Sequence, residues 1–167
     1  MPKKTINPRL ARNYHEATSE KSREVYRQWA STYDRELIED FGYRAPEAAV
    51  ECLLEYFPSR QIEILDMGCG TGLVGQLLCD AGYKQVDGLD LSPEMILKAS
   101  EKGVYRHLGE ANLSTSILLD PIYDAVLCVG VFSHGSQQPF DLPKLFAGLK
   151  PGGVLIATVN GKGWHDI

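Results

Sequence analysis

The chain has 167 residues, with 17 Lys+Arg against 22 Asp+Glu for a formal net charge of −5, 44% hydrophobic and 23% charged. Those values describe one folded domain able to bury about two-thirds of its unfolded surface, and they exclude wholesale disorder, collagen-like sequence and coiled coil. The negative field argues against a nucleic-acid partner, and no apolar run approaches the roughly 20 residues that span a bilayer, so no membrane partner is expected.

Cys52, Cys69, Cys79 and Cys128 stand 17, 10 and 49 residues apart without a CxxC, which suggests neither a zinc knuckle nor a disulfide scaffold. They read as reduced thiols in the cytoplasm, and no metal site is expected. The opening MPKKTINPRLAR has no signal-peptide core; residues 1–15 read as a flexible tail and 16–167 as one domain.

From Ser19, Val25, Trp29, Tyr33 and Leu37 form an i, i+4 apolar stripe that predicts a helix breaking near Gly42. Pro46 starts a second helix with Ala49, Val50, Leu53, Leu54 and Phe57 on its inner face, stopping at Pro58. Strand and helix then alternate. A strand over 62–66 leads through a Gly-rich turn over 67–72 into a helix closed at Gly82, and a second strand covers 85–90. Ser92 and Pro93 read as N-cap and first position of the next helix, which ends at Gly103 before a strand over 104–108. A fourth strand over 123–129, a short helix over 143–149 and a turn over 150–153 precede a fifth strand over 154–159. The expected fold is α/β, Rossmann-like and doubly wound, with a mostly parallel sheet behind N-terminal helices.

The chemistry sits in Asp66-Met-Gly68-Cys-Gly70-Thr-Gly72, a strand ending in an acid followed by three glycines and a helix. Glycine lets the backbone turn tightly with positive φ and lets a ligand approach main-chain amides. Two cofactor classes fit such a turn, because Gly70-Thr-Gly72-Leu-Val-Gly75 also matches the dinucleotide pattern G-x-G-x-x-G. Asp66 separates them. A carboxylate at the strand end repels a pyrophosphate but attracts the ammonium and sulfonium of S-adenosylmethionine. Asp90, 22 residues after Gly68, stands at the end of the second strand, where it can accept hydrogen bonds from both ribose hydroxyls.

LDMGCGTG (65–72), Asp90 with Ser92-Pro-Glu-Met95, Gly109-Glu-Ala111, the strand from Tyr123 to Val129 and Lys150-Pro-Gly-Gly-Val154 together resemble class I S-adenosylmethionine-dependent methyltransferases over about 44–160. The upstream blocks Tyr26 to Asp34 and Tyr43-Arg-Ala-Pro46 are similar to the methyltransferase-like family of the Williams–Beuren syndrome chromosomal region. The resemblance implies methyl transfer from S-adenosyl-L-methionine to a small molecule or protein side chain; the alternative is a cofactor-binding interaction module without turnover. It implies that Gly68, Gly70 and Gly72 line the methionine and ribose portion, that Asp66 holds the ammonium and that Asp90 binds the ribose. Leu91 and Met95 would sandwich adenine, Glu110 and Ala111 would read its edge, and Val129 would lie beside the methionine chain. Tyr33 and Arg44, in a lid over 16–45 above a core over 46–167, would close on the cofactor carboxylate. No residue is assigned to catalysis; His134 is a candidate base, and Val129-Gly-Val-Phe132 lacks the Asn/Asp-Pro-Pro-Tyr motif of amino-methylating enzymes. The family sheet has seven strands and five are legible here, so an exposed edge invites strand pairing with a second chain.

Overall fold

The computed structural model describes residues 44–113, 119–132 and 139–159. Helix α1 (Ala45–Tyr56) has Pro46 in its first turn and buries Ala49, Val50 and Leu53. Strand β1 (Ile64–Met67) is buried at every position and leads into helix α2 (Leu73–Asp80). Strand β2 (Val86–Asp90), helix α3 (Pro93–Glu101) and strand β3 (His107–Glu110) follow. Strand β4 (Tyr123–Phe132), a 3₁₀ segment (Pro139–Gly148) and strand β5 (Leu149–Val159) complete the described fold.

The five strands form one sheet in the order β3-β2-β1-β4-β5 with every pair parallel, the doubly wound arrangement expected. Alternate residues feed two cores. Ile64, Val86, Ala125, Leu127 and Ile156 face α1 and α2, where Leu53, Val74, Leu78 and Tyr83 pack on them. Leu65, Met67, Val126 and Cys128 pack on the other face with Leu145 of the 3₁₀ segment. Arg60 ties the ends of α1 and α2 together: its Nε donates to the Ala81 carbonyl at 2.8 Å and its guanidinium lies 4.9 Å from the Tyr83 ring centroid.

Several predicted bounds shift for identifiable reasons. β1 begins at Ile64 and not at Ile62. β3 begins at His107, three residues after the sequence pattern suggests, because Tyr105 turns out of the strand line to pack its ring beneath the glycine turn. β4 continues to Phe132 through an irregularity in its pairing with β5 between Cys128 and Phe132. Gly130 occupies that irregularity at φ +75°, and its N–H donates to Thr158 Oγ1 at 2.8 Å. The predicted turn over 150–153 lies inside β5, as a bulge between the pairs Tyr123↔Leu149 and Ala125↔Val154. Lys150 Nζ is anchored there on Asp124 at 2.9 Å.

The N-terminal end of the sheet is clamped by charge. Arg106 Nε and Nη2 donate to the two oxygens of Asp87 at 2.9 and 2.8 Å, Nη2 also donates to Glu63, and the Tyr123 hydroxyl donates to Asp87 at 3.1 Å. Burial works to raise the Asp87 carboxyl, but the Arg106 and Tyr123 hydrogen bonds and the guanidinium charge outweigh it and hold it below its ordinary range. Arg106→Ala leaves Asp87 buried with one neutral donor, and is expected to cost about 2–3 kcal/mol in urea unfolding, with Arg106→Lys recovering only part because the fork is lost. A loss below about 0.5 kcal/mol, the usual size for a surface substitution, would contradict the clamp.

Candidate functional site

The strand order reverses between β1 and β4, and in open parallel sheets ligands bind outside the carboxyl ends of the strands at such a switch point. Here that crevice is walled by the turn after β1 and the end of β4. Gly68, Gly70 and Gly72 all have positive φ, at 74°, 54° and 89°. At Gly68 a Cβ would stand 2.2 Å from Val131 Cγ2, so β4 and the turn touch only because that Cβ is missing. At Gly70 nothing lies within 4 Å of where a Cβ would be, so the turn presents open backbone there.

Asp90 braces this turn from the neighbouring strand. Its Oδ2 accepts the Gly70 N–H and its Oδ1 the Ser92 N–H, both at 2.8 Å, which fixes the turn and the entry to α3. Burial raises the Asp90 carboxyl, outweighing the bonds from Ser92, Gly70 and Leu91. A carboxylate offers about four lone-pair directions, so with these three bonds Asp90 retains acceptor capacity. Ser92 caps α3 as expected, accepting the Met95 N–H at 3.3 Å.

Asp66 is 1% exposed. Its Oδ2 accepts the Tyr105 hydroxyl at 2.6 Å, and its Oδ1 is buried with no hydrogen-bond partner. Burial pushes the Asp66 carboxyl up to about 7, with the Tyr105 hydrogen bond working against it and Asp90 adding to it. Tyr105 is the site residue that sequence reasoning missed. Its ring occupies a slot in which a Cβ at Gly75 would stand 2.2 Å from Cζ, one at Gly88 2.9 Å from Cε1 and one at Gly72 3.2 Å from Cε2. A turn, a helix and a strand each supply one glycine to it. Gly75, the last glycine of the apparent dinucleotide pattern, makes room for this ring between helix and sheet. The only sequence signal was those glycines, which do not name the side chain that fills them.

Among the other expected residues, Ala111 donates its N–H to the Asp90 carbonyl at 2.8 Å, and Glu110 pairs with Asp90 in register and is exposed. Leu91 is half-buried. Met95 is 1% exposed and Val129 8%, so both side chains serve the interior here; the β4 residue that reaches the turn is Val131. Arg44 stands at the N-cap of α1 and is exposed. Tyr33, Trp29, His134 and the proposed tail lie outside the described residues. Among the described residues no group of three or more His, Cys, Asp or Glu could hold a metal, and no helix is long and apolar enough to cross a membrane.

A glycine turn over a buried acid, a second acid at the end of the adjacent strand and a parallel 3-2-1-4-5 sheet are the arrangement of the class I S-adenosylmethionine-dependent methyltransferase fold. The chain belongs to the methyltransferase-domain family, whose model matches residues 65–155. It is 39% identical over 139 residues to human methyltransferase-like protein 27, covering 81% of this chain and 56% of that protein. Malonyl-[acyl-carrier protein] O-methyltransferase of Priestia megaterium is 30% identical over 139 residues, covering 80% of this chain and 49% of its own. The solved DhpI-SAM-HEP complex superposes with a TM-score of 0.60 at 25% identity, over 90% of this chain and 66% of that one. The chain thus spans about half the length of the curated relatives it matches. The residues present fit S-adenosylmethionine: open backbone at Gly70, a buried acid with one unpartnered oxygen at Asp66 and acceptor capacity at Asp90.

The raised Asp66 carboxyl makes a stability prediction with a definite sign. A folded-state value of about 7 against 3.8 means that the folded protein holds a proton which the unfolded chain has released between those values. Stability contributed by that proton therefore falls as pH rises from about 4 to 7, with a slope of at most about 1.4 kcal/mol per unit, and is flat above about 8. The difference in unfolding free energy between wild type and Asp66→Asn, measured by urea titration at pH 5, 6, 7 and 8, is expected to move steadily against the wild type. A constant difference would show that Asp66 titrates normally.

Proposed function

We propose that this chain binds S-adenosylmethionine across the glycine turn and takes part in methyl transfer to a small molecule or a protein side chain. The observation that carries the reading is Asp66, a buried acid with one oxygen unpartnered beside a turn of open backbone. An ammonium near it would offset the cost of burying the carboxylate, whereas a pyrophosphate would meet a like charge.

In this reading Asp66 takes the ammonium directly or through water, Asp90 accepts from the ribose hydroxyls while its other lone pairs hold Gly70 and Ser92, and Leu91 offers apolar surface to the adenine. Glu110 and the Ala111 segment stand where the base edge would be read, and Arg44, with Tyr33, would meet the carboxylate. When bound, the sulfonium supplies an electrophilic methyl carbon that passes to the acceptor nucleophile, leaving a neutral thioether. Val131, seated against Gly68, forms the wall between β1 and β4 on that side of the crevice. Holding donor and acceptor in line supplies much of the rate in such a displacement, so the chain's contribution is chiefly positioning. The apolar end of β4, Val129-Gly-Val-Phe132, favours an acceptor other than the amino groups served by an Asn/Asp-Pro-Pro-Tyr motif.

The free thiols Cys52, Cys69, Cys79 and Cys128 favour a reducing, cytoplasmic location. Strand β5 pairs with β4 alone among the described residues, and its other edge favours pairing with a second chain.

Calorimetric titration with S-adenosylhomocysteine tests the cofactor. Wild type is expected to bind it and not NAD, and Asp90→Ala to bind more than tenfold more weakly, since charge-assisted hydrogen bonds worth about 1.5–3 kcal/mol each are lost. Binding of NAD alone would overturn the reading; an unchanged dissociation constant in Asp90→Ala would mean that the ribose is held elsewhere.

A further inference from the structure

The hydrogen bond from Tyr105 to Asp66 joins residues 39 apart in sequence. Three glycines on three elements are given up to admit the ring that makes it. Those glycines account for the ring and not for its hydroxyl, since a phenylalanine would fill the same slot. What the hydroxyl adds is a donor to one oxygen of a carboxyl that is otherwise dry, and donors to a carboxylate favour its ionised form.

We propose that Tyr105 is the positioning residue for the cofactor acid: its hydroxyl holds Asp66 Oδ2, favours the ionised carboxyl with Oδ1 left for the cofactor's ammonium, and so lowers the pH below which cofactor capture is lost. The proposal rests on the cofactor reading above and assigns to it a residue on a different element from the glycine turn.

The titratable groups around Asp66 pull in one direction except for Tyr105. Asp90 on β2 repels a charge on Asp66. Cys69 in the turn and Cys128 on β4 are both raised, by burial first and by the two acids next, so they stay neutral. Burial and then Asp66 itself push the Tyr105 hydroxyl well above the ordinary phenol range, so it remains a donor. The Lys102 stem, at the end of α3, lies 3.3 Å from a Cβ built on Gly72 and packs against the same turn. Removing the Tyr105 hydroxyl therefore leaves burial and Asp90 unopposed, and the carboxyl takes up its proton at a higher pH.

Two measurements on the full chain test this. The first is an NMR titration of the Asp66 side-chain carboxyl carbon without ligand, in wild type and Tyr105→Phe. Wild type is expected to titrate near pH 7 and Tyr105→Phe about one unit or more higher. The second is calorimetric binding of S-adenosylhomocysteine between pH 6 and 8. If only the ionised form binds, a midpoint near 7 weakens wild type about tenfold between pH 8 and pH 6. In Tyr105→Phe the loss should already begin near pH 8, and Asp66→Asn should bind weakly with no such pH dependence. Superimposable midpoints in wild type and Tyr105→Phe while both bind overturn the role of Tyr105 and leave the cofactor reading standing. Failure of wild type to bind S-adenosylhomocysteine at any pH removes the cofactor reading and the proposal with it.

Discussion

A carboxylate with almost no access to water, near the carboxyl end of the central strand β1, is what the rest of this molecule is arranged around. Asp66 is 1% exposed, and burial of an unpaired acid is costly unless donors or an opposite charge attend it. Only one of its oxygens has a donor, the Tyr105 hydroxyl, and that donor reaches it because Gly72, Gly75 and Gly88 carry no side chains. The glycine spacing thus serves two layers: the turn offers open backbone at Gly70 on one side and admits an aromatic ring on the other.

The two ends of the sheet treat charge in opposite ways. At the N-terminal end Asp87 is met by both nitrogens of Arg106 and by Tyr123, a nearly saturated carboxylate that stabilises the fold. At the C-terminal end Asp66 keeps an unpartnered oxygen, and the carboxyl is raised by its burial. That residue works against stability at neutral pH, the usual sign of a group kept for binding and not for folding.

Much of this was legible in the sequence because it depends on local backbone chemistry. Ser92 and Pro93 mark the start of α3, and the apolar run from Tyr123 marks a buried central strand. The acid-plus-glycines motif places the site at the β1 turn. What escaped the reading depends on contacts distant in sequence. Tyr105 looked like part of a strand because an aromatic among Val104 and Leu108 fits a β pattern, and nothing local says that its ring turns beneath a helix. Val129 is buried, and past the irregularity at Gly130 it is Val131 that packs against Gly68, a contact that no local pattern announces. Lys150-Pro-Gly-Gly153 has turn composition, yet it lies within β5 as a bulge, with pairing to β4 resuming at Val154.

The most direct test of the account is a crystal structure of the chain with S-adenosylhomocysteine. The account predicts the amine within hydrogen-bond distance of Asp66 Oδ1, at about 3 Å or through one water, and the ribose hydroxyls on Asp90. A ligand seated away from the turn, or an Asp66 Oδ1 still without a partner in the complex, would contradict it.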